Sequence, residues 1–180
     1  MSYYERKLPH WHPEGAALFV TWRLHGSLPA TVQREASSLQ VGRAFVQIDR
    51  YLDRTREGPR WLADERIASM VTESLLFAEQ QLRLYGLRAW VVMANHVHVV
   101  VLPHVPLARI TRAVKGFTAR RANQMLCRSG KPFWQQESFD HWARTHNELE
   151  RIVRYVELNP VKAGLVSRPE DWHWSSAAVG

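Results

Sequence analysis

Residues 87–102 constrain the fold more than any other stretch of this chain. Leu87–Met93 and His96–Leu102 are two runs rich in β-branched and apolar residues, separated only by Ala94-Asn95. Two such runs across a tight connection predict neighbouring antiparallel strands. Within the second run histidine alternates with valine, His96 and His98 against Val97, Val99 and Val101. A strand repeats every two residues, so the valines face a core and the two imidazoles share the other face, about 7 Å apart at Cα. The wider stretch Ala89–Ala108 carries no formal charge, but Asn95, His96, His98, Pro103, His104 and Pro106 make it a poor membrane span and a good buried hairpin.

The remaining elements are arranged around that hairpin. Ala17–Leu24 is rich in β-formers and reads as a strand. Helix is expected from Val32 to Asp53, inside a polar segment Pro29–Leu62 that breaks at Glu57-Gly58-Pro59. Asp64 caps a second helix with Ile67, Val71 and Leu75 at helical spacing, ended by Gly86. A third helix runs from Leu107 to about Arg128 and stops at Ser129-Gly130-Lys131-Pro132. Phe139–Arg144 reads as a short strand. A last helix, Asn147–Asn159, starts with an Asn147-x-x-Glu150 capping box and stops at Pro160. The order is β-α-β-β-α-β plus a final helix, which predicts a ferredoxin-like α+β fold: an antiparallel sheet with helices on one face. The 180 residues, 46% of them apolar, suffice for one domain. Residues 29–62 exceed what that fold needs and have no evident role, and residues 168–180 form a tail.

Charge narrows the function. The formal net charge is +7. From Ala94 to Gln136 there is no acidic residue, while Arg109, Arg112, Lys115, Arg120, Arg121, Arg128 and Lys131 are all basic. Such a local excess points to a polyanion, nucleic acid or less often an acidic membrane surface. A solvated helix face, neutralised by acids from elsewhere in the fold, fits equally well. The single cysteine, Cys127, excludes an internal disulfide framework and suits a reducing, cytoplasmic setting. Met1–Lys7 has no apolar run behind its charges and does not read as a signal peptide.

Three groups of residues could do chemistry. His96 and His98 have the spacing to hold one divalent metal ion, and equally that of two hydrogen-bonded histidines. In the last helix Leu149, Ile152, Val153 and Val156 form the core stripe. Tyr155 lies beside that stripe and Asn159 follows one turn later. A phenol next to an amide oxygen suits a nucleophile beside a metal ligand, but also a tyrosine at a core edge and a capping asparagine. In the third helix Leu107, Ile110, Val114, Phe117 and Met125 cluster on one side. Arg109, Arg112, Lys115 and Arg120 lie opposite, as a phosphate-tracking ridge or an ordinary wet face. Of eight tryptophans, Trp22 and Trp90 lie on strands, while Trp134, Trp142, Trp172 and Trp174 have polar neighbours and are the candidates for base stacking. Walker A, Gly-x-Gly-x-x-Gly, His-Glu-x-x-His and Gly-x-Ser-x-Gly motifs are all missing.

Taken together the motifs are more specific. Trp90-Val-Val-Met-Ala-Asn-His96-Val-His98-Val-Val resembles the HUH strand of single-tyrosine transposases, with Ala94 where many relatives have proline. Arg154-Tyr155-Val-Glu-Leu-Asn159-Pro160-Val-Lys-Ala-Gly164 resembles their catalytic-helix signature, Tyr-x-x-x-Asn-Pro-x-Arg/Lys-Ala-Gly. Phe133-Trp134-Gln135, Ser138-Phe139-Asp140-His141-Trp142 and Trp172-x-Trp174-Ser175-Ser176 are similar too. The likeness runs from about Leu18 to Ala177 and is greatest to the REP-associated, insertion-sequence-200-like branch.

That resemblance implies a mechanism. His96, His98 and Asn159 would hold Mg²⁺ or Mn²⁺, and Tyr155 would attack a phosphodiester of single-stranded hairpin DNA. The products would be a 5′-phosphotyrosine and a free 3′-OH, ready for strand joining. Arg109, Arg112, Lys115 and Arg120 would hold DNA backbone. It also implies a bacterial, nucleoid-associated protein that assembles its site within one chain, as a monomer rather than a swapped dimer. Two other functions fit the same residues: a non-catalytic binder of structured DNA or RNA, and a metal nuclease that uses water.

Overall fold

The computed structural model describes residue 13 and residues 15–179. Met1–Lys7, where the leader question arises, lies outside the described residues. Four strands, β1 (Leu18–Arg23), β2 (Tyr85–Val92), β3 (His96–Pro103) and β4 (Phe139–Trp142), form one antiparallel sheet in the order β2-β3-β1-β4. That is the ferredoxin-like strand order expected from the sequence. Among the described residues six α-helices accompany it: α1 (Ala30–Ser37), α2 (Val41–Arg54), α3 (Glu65–Gln80), α4 (Leu107–Met125), α5 (His146–Glu157) and α6 (Asn159–Lys162). No helix among the described residues is long and apolar enough to cross a membrane.

The alternation of each strand divides the sheet into two faces. Leu18, Val20, Trp22, Trp90, Val92, Val97, Val99 and Val101 pack on one face with Ile67, Val71 and Leu75 of α3 and Ile110 and Val114 of α4. Phe19, Ala89, Val91 and Val100 pack on the other with Val156 of α5, and Phe45 of α2 joins them. Helices therefore cover both faces rather than one. The cause is in β1 and β3, whose second faces also carry apolar side chains and must be covered.

Several boundaries differ from the sequence reading. The 32–53 helix is two, because the Ser37 and Ser38 hydroxyls donate to the Arg34 and Glu35 carbonyls and end α1. Asp64 caps α3 as expected, accepting from the Arg66 amide. α3 ends at Gln80, before Gly86, because Tyr85 already belongs to β2 and its buried hydroxyl donates to the Leu75 carbonyl. The cap of α5 is Thr145, not Asn147. Its side chain accepts from the Glu148 amide while Glu148 accepts from the Arg144 amide.

α4 is rotated slightly from expectation. Ile110, Val114, Thr118 and Ala122, spaced by four, line its buried face, and Phe117 is 48% exposed. Thr118 earns its buried place by accepting from Trp134 Nε1. Trp134 is thus a core residue and not a free stacking platform. The indoles of Trp172 and Trp174 are tied to the Val92 carbonyl and the Ser69 hydroxyl.

Candidate metal and tyrosine site

The two histidines lie on the α5 side of the sheet. Register places His98 opposite Thr21 of β1 and His96 opposite Arg23. Both imidazoles are fully buried, with ring centroids 4.7 Å apart. Thr21 Oγ1 lies 2.7 Å from His98 Nδ1, and Asn95 Oδ1 lies 2.6 Å from His96 Nδ1. The Asn95 amide nitrogen donates to the Leu52 carbonyl, so its oxygen faces His96 and His96 Nδ1 carries the proton. That tautomer leaves the Nε2 lone pair free, the arrangement found in metal-binding histidines.

Both Nε2 atoms point at Asp49. This residue comes from α2, in the segment with no role evident from sequence. Asp49 Oδ1 lies 3.1 Å from His98 Nε2 and 3.7 Å from His96 Nε2. Asp49, His96 and His98 are all buried, and their ligand atoms lie within 4.8 Å of one another. Among the described residues, Asp49 Oδ1, His96 Nε2 and His98 Nε2 are buried and have no hydrogen-bond partner outside this group. Polar atoms left this way are costly unless something else satisfies them. Two imidazoles and a carboxylate fit a divalent ion, and the carboxylate makes the set harder than the histidines alone.

A second carboxylate stands one turn along α2. Asp53 Oδ1 is 3.7 Å from His96 Nε2. Burial, and then the charge of Asp49, push the Asp53 carboxyl up to about 7. Burial also raises Asp49, but the neighbouring His98 and His96 imidazoles and the Tyr155 hydroxyl outweigh it and hold that carboxyl well below the usual range. Burial, followed by the proximity of His98, pushes His96 down to about 3, so it is neutral near pH 7.

Tyr155 completes the cluster from α5. Its hydroxyl donates to Asp49 Oδ2. Its ring packs edge-on to Phe19 and His98, with Lys162 Nζ 4.1 Å from the ring centroid on α6. Burial, then the charge of Asp49, raise the phenol far above its ordinary value, so it rests protonated. Burial lowers Lys162, which feels both Asp49 and Asp53. Asn159 opens α6, is fully buried, and leaves both side-chain amide atoms without a partner.

The basic ridge is elsewhere. α4 lies on the opposite face of the sheet from Tyr155. Arg109, Arg112 and Arg120 are exposed there. Lys115 Nζ instead donates to the Gln135 and Gln136 carbonyls and the Ser138 hydroxyl, which anchors the loop before β4. Asp49 and Asp53 escaped the sequence reading, and Lys162 entered it only as part of the helix signature, with no role. A signal existed for the first two. They are the acidic residues of α2, spaced i, i+4 beside Phe45, Ile48 and Leu52, on the side of an amphipathic helix that turns inward.

Residues 61–159 match the family model described as "Transposase IS200 like". A REP-associated tyrosine transposase of Escherichia coli (strain K12) is 31% identical over 98 residues, 52% of this chain and 55% of that protein. The chain thus spans about half the length of this curated relative. A solved structure of a REP-associated tyrosine transposase bound to a REP hairpin has a TM-score of 0.59 at 20% identity. It covers 99% of this chain and 84% of its own, a likeness of fold. The family match contains His96, His98, Tyr155 and Asn159 and begins after Asp49 and Asp53. It spans more than half of the sequence: this chain belongs to the IS200-like transposase family.

Proposed function

We propose that the protein is a metal-dependent endonuclease and strand transferase that cleaves single-stranded hairpin DNA through a 5′-phosphotyrosine. The observation that carries this reading is the convergence of Tyr155, His96 and His98 on one carboxylate, Asp49. The curated relative and the hairpin-bound structure, both described as tyrosine transposases, support the substrate class.

His96, His98 and Asp49 would hold Mg²⁺ or Mn²⁺, with the unpartnered amide oxygen of Asn159 as a further ligand. When bound, the ion polarises the phosphodiester and offsets charge developing at phosphorus. Asp49 orients the Tyr155 hydroxyl by accepting its hydrogen bond. The phenol oxygen attacks phosphorus as its proton passes to Asp49, which accepts its hydrogen bond; the bond to the 3′ oxygen breaks, and that proton passes on to the departing oxygen to give a free 3′-OH. The ester stored on Tyr155 then permits rejoining to another 3′ end with no external energy source. Lys162, over the ring, is placed to meet phosphate charge. Arg109, Arg112 and Arg120 hold DNA backbone on the far face, and Lys115 contributes by fixing its loop. Asp49, His96, His98 and Tyr155 meet within one chain, as the proposed monomer requires.

Intact-protein mass after incubation with pooled hairpin DNA and Mn²⁺ tests the reading. Wild type gains a nucleotide adduct, while Tyr155→Phe binds the DNA and gains none. An adduct on Tyr155→Phe, or cleavage without any adduct, overturns the tyrosine mechanism.

A further inference from the structure

A cavity of about 400 Å³ lies between the α1–α2 pair and the sheet, and it opens onto Asp49. Its volume is at the lower end of the roughly 300–1,000 Å³ typical of small-molecule pockets. One wall is Ala36, Ala44, Phe45, Ile48 and Leu52 of α1 and α2. The other includes Thr21, Gln135, Glu137 and Phe139, from β1 and the segment leading into β4. We propose that this cavity receives one nucleobase of the DNA strand, next to the phosphate that reaches Tyr155. The inference rests on the function proposed above and names a part of its substrate site.

Three observations support a base rather than an apolar ligand. Phe45 and Phe139 both line the cavity and stack on each other with centroids 4.3 Å apart, an aromatic patch in its wall. Gln33, Gln135 and Glu137 line the cavity, and among the described residues their side chains make no hydrogen bond. Two carboxamides and a carboxylate offer both donors and acceptors, the pattern that reads the edge of a base, while the phenyl rings meet its face. Position is the third observation. Asp49 lines the cavity and also belongs to the metal-capable group, so a base seated there adjoins the reacting phosphate. Lys115 braces this wall by bonding to the Gln135 carbonyl and the Ser138 hydroxyl. The α1–α2 segment therefore serves selectivity as well as supplying Asp49.

The test is selection from a library of hairpin DNAs with randomised single-stranded flanks, using Tyr155→Phe protein in Mn²⁺. The same selection is run with Gln33→Ala/Glu137→Gln added. These replacements of polar side chains lining the cavity leave the core untouched, and Ala44→Phe, which fills the cavity, is a third arm. The parent selects one flanking base by roughly tenfold or more, as a good bidentate contact would. In both variant arms the preference at that position falls below about threefold, while the others persist. Identical preferences in all arms, or no preferred position in the parent, overturn the pocket. Failure of the proposed chemistry is separable: wild type then forms no adduct although the base preference is present.

Discussion

The hydroxyl of Tyr155 donates to the Asp49 carboxylate across 106 positions of sequence, and the other oxygen of that carboxylate faces both histidines. One side chain from α2 therefore holds the Tyr155 hydroxyl and joins the two histidines in the metal-capable group. Asp49→Asn keeps the shape and removes the charge. It should weaken Mn²⁺ binding by roughly 10–100-fold, the scale on which even supporting groups of metal sites act. Isothermal titration measures this; unchanged affinity would remove Asp49 from the site.

Thr21→Val leaves a near-isosteric side chain and takes away the partner of His98 Nδ1. A buried polar ring nitrogen left without a hydrogen-bond partner costs about 1–3 kcal/mol. Thermal melts should show that loss, with Mn²⁺ affinity falling roughly tenfold as the ring loses its orientation. Unaltered metal affinity in a destabilised variant would confine Thr21 to packing.

Asp53 and His96 give opposite pH dependences in metal-free protein. Asp53 is raised to about 7, so its contribution is full below the unfolded carboxylate value and is lost as pH rises through 7. His96 is lowered to about 3, so its contribution is present above the unfolded imidazole value, about 6.5, and is lost as pH falls toward 3. Asp53→Asn abolishes the first and keeps the second. In EDTA the variant should match wild type near pH 4 and exceed it by up to about 4 kcal/mol at pH 8. Urea melts at pH 4, 6 and 8 decide it, and a constant difference would refute the raised carboxyl.

Lys115 and Arg112 lie on one helix and should fail differently. Lys115→Met removes three hydrogen bonds to the loop before β4 and should lower stability by about 1.5–3 kcal/mol. Arg112→Ala should leave the melt unchanged and reduce the slope of log affinity against log salt by about one. Denaturation paired with salt-titrated DNA binding separates the two.

Local pattern explains how much was legible. The Val97-Val99-Val101 alternation fixes β3 and the common face of His96 and His98, because a strand allows one arrangement. Tyr155 follows from helical spacing, whereas Asn159, read as the end of the same helix before Pro160, instead opens the separate α6, which contains Pro160. The docking of α2 depends on contacts far along the chain, so the amphipathic spacing of Asp49 and Asp53 marks an inward face but not what that face meets. Phe117 shows the same limit. A helical wheel assigns it to the core, but the buried line is set by Trp134 reaching Thr118, which no spacing rule contains.

The place of Asp49 also bears on mechanical integrity. An ion gripped by residue 49 and by the β3 histidines would act as a removable cross-link, closing the loop between residues 49 and 96 much as a disulfide closes one. Chelation would then cut a strut as well as remove a reagent. The α1–α2 pair would become the first part of the molecule to yield to protease, while the sheet beneath it stayed intact.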